Sequence, residues 1–382
     1  MALAVVFVML ATTGWTAVHR PDDEVSPRVA ALAAWGAARI DGHPVPSADA
    51  PARTVARFFA GLDGAQRAQL ADGYPLVVGN LDGVPAQTRY RANRRAVLDV
   101  RQAEEEHARD YRLAPADRTE AGRRAHRLAS LADPDRQILV FDPTGDGRVA
   151  EVFGDLDRAE RVSVIVPGVD TGLITFERTQ RHFTAPQGMA ESLYAAQRAA
   201  APDTPTAVIA WAGYTTPTGV GVDAATGRLA MEGAARLESL TAALPGDATV
   251  ALFCHSYGSV VCGLAAQRLP ARVTDVVAAG SPGMRAGNVA GLGTSARVWA
   301  VRAEGDWIAD VPHLELGGLG HGADPMSAEF GARRLSSAGA RSHTAYFEPG
   351  TGSLDNFAKI GTDLLSSVAC AGGDDSCRGP VR

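Results

Sequence analysis

The sequence predicts an α/β protein in which a mostly parallel, doubly wound sheet follows an N-terminal helical extension. Three observations predict this class. Short apolar runs alternate with helical stretches from Arg136 onward, which is typical of parallel strands joined by helices. One of the runs, Val250–Phe253, leads through a serine directly into a helix. The preceding residues, from about 25 to 135, show no strand pattern and contain many alanine and arginine residues.

Length and composition limit the classes of function. The chain has 382 residues, which is enough for one α/β domain of about 200 to 250 residues and an additional segment. Its 41 glycines and 22 prolines indicate many turns rather than disorder. The net charge of −6 argues against a nucleic-acid partner, for which a basic patch is expected.

The first residues, Met1–Val18, contain no charged side chain and include the apolar run Ala2–Leu10. A helix that spans a membrane needs about 20 apolar residues, so the interruption at Thr12–Gly14 favours a secretory signal. The basic residue that normally precedes the apolar run of a signal peptide is missing, and a buried first helix is the alternative. We expect residues 1–18 to be a signal peptide or membrane anchor, and the protein to act outside the cytoplasm.

The rest of the chain divides into three segments. Residues 25–135 form the helical N-terminal region, which we expect to pack beside or over the domain at 136–365, and residues 366–382 form a C-terminal tail. Seven strands are predicted in the domain, at Gln137–Phe141, Val149–Phe153, Val162–Val166, Ala207–Trp211, Thr249–Phe253, Val273–Ala278 and Val298–Ala303. The first two should form a hairpin through Gly145–Gly147, because glycine tolerates the positive φ of a tight turn.

The segment Val250–Val261 carries the strongest indication of chemistry. An apolar strand runs into Ser256, which lies between small residues, and a helix follows at once. Such a sharp turn strains the backbone of the serine and lifts its Oγ clear of the sheet, so we interpret it as a nucleophile elbow that acts through an acyl-enzyme. Cys254 stands where the first glycine of the G-x-S-x-G pattern is usual. The alternative is that Ser256 is an ordinary helix N-cap.

A nucleophilic serine needs a base and an orienting acid, which follow it in this kind of enzyme in the order acid, then histidine. Asp306 is the predicted acid, because it comes directly after the seventh strand, and Asp310 is the nearest substitute. Three histidines follow: His313, His321 and His343. We prefer His343, in a segment near the end of the domain that can return to the elbow, and His321, in a glycine-flanked loop, is the second choice.

The oxyanion hole is expected to use two backbone N–H groups. One belongs to Tyr257, directly after the nucleophile. The other should come from the loop after the third strand, Val166–Gly172, whose glycines allow a substrate to approach the backbone closely. Val169 or Asp170 is the predicted second donor, and the alternative is an ordinary glycine-rich turn.

The four cysteines fall into two groups. Cys370 and Cys377 lie in the tail and can close a small disulfide loop in an oxidising compartment. Cys254 and Cys262 are predicted to be small buried hydrophobic residues rather than ligands or nucleophiles. No metal site and no cofactor is predicted, because the cysteines lack metal-type spacing and no G-x-G-x-x-G follows a strand.

Several stretches, taken together, resemble a family of bacterial α/β-hydrolases of unknown function that is common in high-GC Gram-positive bacteria. They are Phe141–Gly145, Val166–Gly168 with Thr171, Trp211–Tyr214, His255–Ser259, Gly280–Gly283, His321–Pro325 with Phe330–Ala332, and Ser342–His343 with Tyr346–Phe347. The similarity covers about residues 95–365. By that resemblance the fold is the α/β-hydrolase fold, and Ser256, Asp306 and His343 are nucleophile, acid and base. Trp307 stands where the family tends to have proline, and the family has no assigned substrate.

The function expected from these features is hydrolysis by a serine esterase or lipase-like enzyme. A small-molecule or lipid ester is the predicted substrate, and residues 1–18 allow association with a membrane. An envelope peptidase or amidase is the alternative among enzymes, and a non-catalytic binding module is the alternative outside them. Trp211, Tyr214 and Trp307 either line an apolar pocket or belong to the core.

Overall fold

The computed structural model describes residues 27–373 and 375–379, which are built around one large sheet. The strands in chain order are β1 (Arg39–Ile40), β2 (His43–Pro44), β3 (Gln137–Asp142), β4 (Arg148–Gly154), β5 (Arg161–Val166), β6 (Thr206–Ala212), β7 (Thr249–His255), β8 (Val273–Ala279), β9 (Arg297–Val301), β10 (Glu315–Leu316), β11 (Leu319–Gly320) and β12 (Arg333–Arg334). Eight of them form the main sheet in the order β12-β9-β8-β7-β5-β6-β4-β3. The pairs β1–β2 and β10–β11 are separate antiparallel ribbons.

All seven predicted strands form, and so does the predicted hairpin. β3 and β4 pair antiparallel, and the turn between them contains Gly145 and Gly147 with φ of 62° and 80°. β5 to β9 pair parallel with their neighbours, and β4 pairs antiparallel with β6. The sequence did not indicate β12, because a strand of two residues is too short to show a pattern.

The helices lie before, between and after the strands of the main sheet. They are α1 (Pro27–Gly36), α2 (Ala52–Ala60), α3 (Gly64–Gly73), α4 (Pro75–Val78), α5 (Ala86–Arg109), α6 (Pro115–Leu131), α7 (Pro186–Ala200), α8 (Val222–Ala225), α9 (Arg228–Ala243), α10 (Gly258–Ala265) and α11 (Gly352–Gly361). Short 3₁₀ segments occur at His182–Thr184, Ala266–Arg268, Ala290–Leu292, Trp307–Asp310, Leu365–Ser367 and Ala371–Gly373. The first six helices occupy the region predicted to be helical, where the small ribbon β1–β2 is the departure from expectation.

Helices cover both faces of the sheet. Because side chains alternate along a strand, neighbouring residues of β7 face opposite layers. Leu252 packs in the apolar cluster that includes residues of α9 and α10. Phe253 packs in the cluster that includes residues of α7 and α11. The carboxyl ends of β5, β7 and β9 therefore meet at one edge of a doubly covered sheet, where ligands of open α/β sheets bind.

The N-terminal helical region covers the open edge of the sheet at β3. The Asn80 side chain donates to the carbonyl of Phe141 at 2.8 Å and accepts from its N–H at 3.2 Å. The Asn93 side chain donates to the carbonyl of Ile138 at 2.9 Å. These two amides satisfy backbone groups that an edge strand leaves unpaired. These two contacts lie four strands from β7 in the order of the sheet. The helix Pro115–Leu131 also reaches the segment after β5, because Arg127 donates to the carbonyls of Ile174 and Glu177.

A buried ion pair connects the start of the domain to β4. Arg136 donates to both carboxylate oxygens of Glu151, at 2.8 and 2.6 Å, and also to Glu177. The Glu151 residue is only 4% exposed. Burial raises the pKa of Glu151 above its usual value, although the Arg136 guanidinium acts in the opposite direction. The ionised form of Glu151 is therefore stabilised by the Arg136 guanidinium.

We expect Arg136→Met to lower the free energy of unfolding by about 3–5 kcal/mol near neutral pH, because it leaves Glu151 buried and unpaired. The loss should become smaller as the pH falls. An unpaired buried carboxyl has a pKa above its value in the unfolded chain, so the folded state binds the extra proton and gains stability relative to the unfolded state as pH decreases. Urea unfolding at a series of pH values measures both effects.

The control for this prediction is Arg91→Met. Arg91 pairs with Asp72 at 2.6 Å, but the two side chains are 56% and 48% exposed. Exposed pairs contribute about 1 kcal/mol or less. Two results would contradict the importance of the buried pair. One is a loss of unfolding free energy in Arg136→Met that is no larger than in Arg91→Met, and the other is a loss that grows as the pH falls.

Candidate active site

Ser256 lies in the sharp turn between β7 and α10. Its φ is 54°, in the left-handed region that side chains other than glycine rarely adopt. Two hydrogen bonds hold this conformation: the Ser256 N–H donates to the carbonyl of Ala279 at 2.9 Å, and the Ser259 hydroxyl donates to the carbonyl of Ser256 at 2.6 Å. The N-cap of α10 is Tyr257, without a side-chain capping bond. The strained turn therefore forms as predicted, and Ser256 is not an ordinary N-cap.

Two glycines let the neighbouring loop approach the turn. A Cβ on Gly258 would lie 2.2 Å from the carbonyl oxygen of Val166. A Cβ on Gly168 would lie 2.7 Å from the Cβ of Ser256 and 3.1 Å from its Oγ. Larger side chains at either position would separate β7 from the loop after β5. The loop after β5 thus lies directly against the Ser256 side chain.

The structure brings together the three residues predicted as nucleophile, base and acid. The Nε2 atom of His343 lies 2.8 Å from the Oγ of Ser256. The Nδ1 atom of the same ring lies 2.9 and 3.1 Å from the two carboxylate oxygens of Asp306. The imidazole lies between a hydroxyl and a buried carboxylate at hydrogen-bond distance from both. In this arrangement the ring can take a proton from the hydroxyl while the carboxylate stabilises the resulting cation.

The carboxylate of Asp306 is held by more than one donor. It accepts from the Ile308 N–H at 2.9 Å and from the hydroxyl of Tyr346. Burial by itself raises the pKa of Asp306, but hydrogen bonds from His343, Tyr346 and Ile308 lower it below its usual value. The acid is therefore ionised at neutral pH. Tyr346 stood in one of the motifs quoted above, but its contact with Asp306 was not predicted.

His255 is a second histidine that touches the site. Its Nε2 lies 2.6 Å from the backbone carbonyl oxygen of His343, and the two rings are 4.9 Å apart. Burial, together with the nearby His343, lowers the pKa of His255 to about 3. The His255 ring is therefore neutral at ordinary pH and donates its Nε2–H to that carbonyl. This contact fixes the backbone of the segment that carries His343.

The two residues predicted as oxyanion donors in the loop after β5 differ in whether their backbone N–H already has an acceptor. The Asp170 N–H donates to the carbonyl of Pro217 at 2.9 Å, so in this structure it already has an acceptor. Within residues 27–373, no acceptor takes the backbone N–H of Tyr257 or of Val169. These two N–H groups remain the candidates.

The other histidines lie elsewhere. The Nε2 of His321 is 2.7 Å from the carbonyl oxygen of Ala224, and its ring meets the ring of Tyr257 edge to face at 5.6 Å. The Nε2 of His313 is 3.4 Å from the carbonyl oxygen of Ser281. Neither ring is hydrogen-bonded to Ser256 in the described structure. His343 is the histidine that the fold places beside the Ser256 hydroxyl.

The three aromatic residues considered for the pocket separate into two roles. Trp211 and Tyr214 are buried and stack on each other at 5.8 Å. The Tyr214 hydroxyl also donates to the carbonyl of Pro167 at 2.6 Å, which supports the loop after β5. Trp307 is 46% exposed, and its ring lies 4.8 Å from the ring of His343. The first two belong to the core, and the third borders the site.

Exposed apolar side chains occur on the segments 220–222 and 307–319, which connect to this end of the sheet. The apolar rim, as we call it, comprises Val220, Val222, Trp307, Leu314, Leu316 and Leu319, which are 46% to 78% exposed. Its connection to the elbow is direct: Leu319 forms an isolated β-bridge with Thr226, whose carbonyl accepts from the Tyr257 hydroxyl at 2.8 Å. The site is therefore bordered by apolar surface.

The cysteines of the elbow are a correction to the sequence analysis. Cys254 and Cys262 form a disulfide, with Cα atoms 6.4 Å apart, whereas the sequence predicted only small buried hydrophobic residues at these positions. Both are fully buried, as expected. The helix turns back over the strand that precedes it, which brings these two positions within disulfide range. Cys370 and Cys377 form the second disulfide, so all four cysteines are paired.

Two further features concern metals and membranes. Among the described residues, no group of three or more His, Cys, Asp or Glu side chains is placed to hold a metal ion. In the same part of the chain no helix has both the length and the apolar character needed to cross a bilayer. The predicted signal peptide or anchor at residues 1–18 lies outside the described residues.

Comparison with known proteins identifies the fold. Residues 142–316 match an alpha/beta hydrolase family. The match starts at the end of β3 and includes the elbow and Asp306, and His343 lies beyond it. Together with the strand order and the elbow after β7, it confirms the predicted α/β-hydrolase fold.

Proteins similar to this chain occur in mycobacteria. An uncharacterized protein of Mycobacterium tuberculosis is 27% identical over 392 residues, which cover 86% of this chain and 58% of that protein. An uncharacterized protein of Mycobacterium bovis is 33% identical over 179 residues, or 44% of this chain and 66% of that protein. The solved structure of the 2,6-dihydroxy-pseudo-oxynicotine hydrolase gives a TM-score of 0.27 with 11% identity, over 75% of this chain and 85% of that one. This chain spans 58% of the first relative's length.

Proposed function

We propose that this chain is a serine hydrolase that cleaves carboxylic esters through an acyl-enzyme. The observation that supports this most strongly is the continuous hydrogen-bonded series from the Ser256 hydroxyl through His343 to the Asp306 carboxylate, at 2.8 and 2.9 Å. The series ends at a serine held in a strained turn at the carboxyl edge of a parallel sheet. Each group is of the type and in the position that nucleophilic catalysis by serine needs.

The proposed reaction has two halves. In the first, His343 Nε2 takes the hydroxyl proton while the Oγ of Ser256 attacks the ester carbonyl carbon, and the carbonyl oxygen becomes an oxyanion. The N–H groups of Tyr257 and Val169 bind that oxyanion. His343 then gives the proton to the departing alkoxide, which leaves as an alcohol. In the second half, water loses a proton to His343, attacks the acyl carbon and releases the carboxylic acid, and the serine hydroxyl is restored.

Asp306 supports both halves by holding the ring of His343. Its carboxylate accepts from Nδ1, so Nε2 is the nitrogen left free to take the proton. Because the hydrogen bonds around it lower the pKa of Asp306, the carboxylate stays ionised and stabilises the imidazolium. Tyr346 and Ile308 keep the carboxylate in place.

The apolar rim supports an ester with an apolar acyl chain or alcohol as the substrate. Large exposed apolar patches mark binding sites, because their burial by a ligand is favourable. Trp307 is the rim residue next to the reacting groups, 4.8 Å from His343. A peptide substrate would instead need polar groups to pair its backbone N–H and C=O.

An oxidising compartment fits this chain. All four cysteines are in disulfides, and disulfides persist in secreted and extracytoplasmic proteins but are rare in the cytosol. The apolar, uncharged segment 1–18 has the composition of a signal peptide or anchor. We therefore place the proposed enzyme outside the cytoplasm, secreted or held at the membrane by residues 1–18.

The proposal is tested with a fluorophosphonate probe and a panel of substrates. We expect the probe to label the wild type, and p-nitrophenyl esters to be cleaved faster as the acyl chain lengthens, because the rim can bury it. Leu319→Asp should reduce that preference for long chains. Faster cleavage of aminoacyl anilides than of esters would favour a peptidase, and neither labelling nor turnover would favour a binding module.

A further inference from the structure

We propose that the disulfide between Cys254 and Cys262 is a positioning element that holds the nucleophile of this enzyme in its reactive conformation. This inference rests on the proposed function, because it assigns a role in the same site. Cys254 lies two residues before Ser256 in β7, and Cys262 lies six residues after it in α10. The bond therefore closes a covalent ring that contains both Ser256 and Tyr257.

The turn needs to be held, because its backbone is strained. A residue other than glycine in the left-handed region costs about 1–3 kcal/mol and persists only where the surrounding structure enforces it. Ser256 has a φ of 54°. The hydrogen bonds from its N–H and to its carbonyl are the non-covalent ties already described. The second bond ties Ser256 to α10, but neither bond joins α10 to a residue within β7.

The helix after the elbow is poorly suited to hold the turn by itself. α10 has eight residues, which is short for a helix that must be stable without help. It contains Gly258 and Gly263, and glycine lowers helix stability by about 1 kcal/mol relative to alanine. It has two adjacent β-branched residues, Val260 and Val261, and no side-chain N-cap bond. A covalent link to the strand supplies the constraint that the helix lacks.

The position of Cys254 supports this role. It replaces the glycine that is usual two residues before the nucleophile, and its side chain is directed into the apolar cluster shared with Val260 and Val261. Both cysteines are 0% exposed. Because an external thiol can reach the bond only if the elbow opens, we assign it a fixed positioning role.

The second disulfide supplies a matched control. The backbone of Cys370 forms an isolated β-bridge with Leu335, which follows β12. Strand β12 is three strands from β7 in the sheet. The two disulfides close loops of nearly equal length, with sequence separations of 8 and 7. Their loss should therefore have similar effects on the entropy of the unfolded chain. If the loss of one disulfide changes catalysis and the loss of the other does not, the cause is therefore the position of the disulfide relative to Ser256.

The experiment compares Cys254→Ala/Cys262→Ala with Cys370→Ala/Cys377→Ala at a temperature where both are fully folded by circular dichroism. We expect the elbow variant to lose kcat on a short p-nitrophenyl ester by about 10- to 100-fold, because misplacement of a reacting group by about 1 Å has an effect of this size. KM should change little, and the rate of fluorophosphonate labelling should fall in parallel with kcat. The tail variant should keep both rates.

A second variant and a second measurement test the proposal even if the alanine pair does not fold. Cys254→Gly/Cys262→Val restores the usual glycine and refills the helix side of the core, so it replaces the alanine pair if that pair does not fold, and the same losses are expected. Amide hydrogen exchange of Ser256, whose N–H is bonded to Ala279, should become at least about 10-fold faster in either elbow variant and stay unchanged in the tail variant.

The outcomes separate the two proposals. Unchanged kcat, labelling and exchange in a folded elbow variant would overturn the positioning role, even if its melting temperature fell. A wild type that neither labels nor turns over any substrate would contradict the proposed function. In that event the exchange of Ser256 still decides whether the disulfide holds the elbow.

Discussion

Replacing Ser256 with alanine is expected to lower kcat on p-nitrophenyl esters by about 10⁴-fold or more and to abolish fluorophosphonate labelling. The substitution removes the one oxygen that lies 2.8 Å from His343 Nε2. Alanine fits the site, because it is smaller than serine. Its strain at a φ of 54° resembles that of the serine it replaces. The fold should therefore be kept while the chemistry is lost.

Ser192→Ala is the matched control for this prediction. Ser192 is also buried, and its hydroxyl also makes a short hydrogen bond, to the carbonyl of Phe347 at 2.7 Å. Its loss should cost about 1 kcal/mol of stability and leave labelling intact. Steady-state kinetics and active-site titration with the probe measure the outcome. Turnover in Ser256→Ala within about 10-fold of the wild type would contradict a nucleophilic role for Ser256.

The sheet and the elbow could be predicted because their signals are local. Each central strand is a short apolar run, and runs such as Val162–Val166 are buried on both faces, as a parallel sheet requires. The turn at Ser256 is encoded by small neighbours, of which Gly258 leaves room for the carbonyl of Val166. The acid follows from position too, because Asp306 comes directly after a predicted strand.

The hydrogen-bond and disulfide partners that the sequence did not indicate depend on tertiary packing. Asp170 donates its N–H to Pro217, in the loop after a different strand. The hydroxyl of Tyr346 meets Asp306 across 40 residues of sequence. The pairing of Cys254 with Cys262 needs the helix to fold back over the strand, which no spacing rule of metal or disulfide motifs describes. Local patterns predict elements, but partners are set by packing.

The position of His343 is itself such a long-range result. Its ring lies between the rings of Trp307 and His255, at 4.8 and 4.9 Å. Its backbone carbonyl accepts from His255, and its Nδ1 faces Asp306. Four contacts of different kinds therefore fix one imidazole, whose other nitrogen faces the Ser256 hydroxyl. This convergence distinguishes His343 from His321, the second choice of the sequence analysis.

A pair of variants turns that distinction into a measurement. We expect His343→Ala to lower kcat by about 10³-fold or more, because the Ser256 hydroxyl loses its proton acceptor. His321→Ala should leave kcat nearly unchanged, since its Nε2 faces the Ala224 carbonyl and not Ser256. Both rings are largely buried, so both variants remove a similar volume from the interior. Loss of stability alone would therefore affect the two variants alike.

Added imidazole provides the test that a purely structural role would fail. The space left by His343→Ala lies between Ser256 and Asp306, which were 2.8 and 2.9 Å from the two nitrogens of the lost ring. Free imidazole can occupy that space, accept the hydroxyl proton and be oriented by the carboxylate, so turnover should rise with imidazole concentration and then saturate. The same addition should not change the rate of His321→Ala. Only a histidine that exchanges a proton with the nucleophile can be both essential for turnover and replaceable by free imidazole. If His321→Ala abolished turnover while His343→Ala remained active, the assignment of His343 as the base would therefore be wrong.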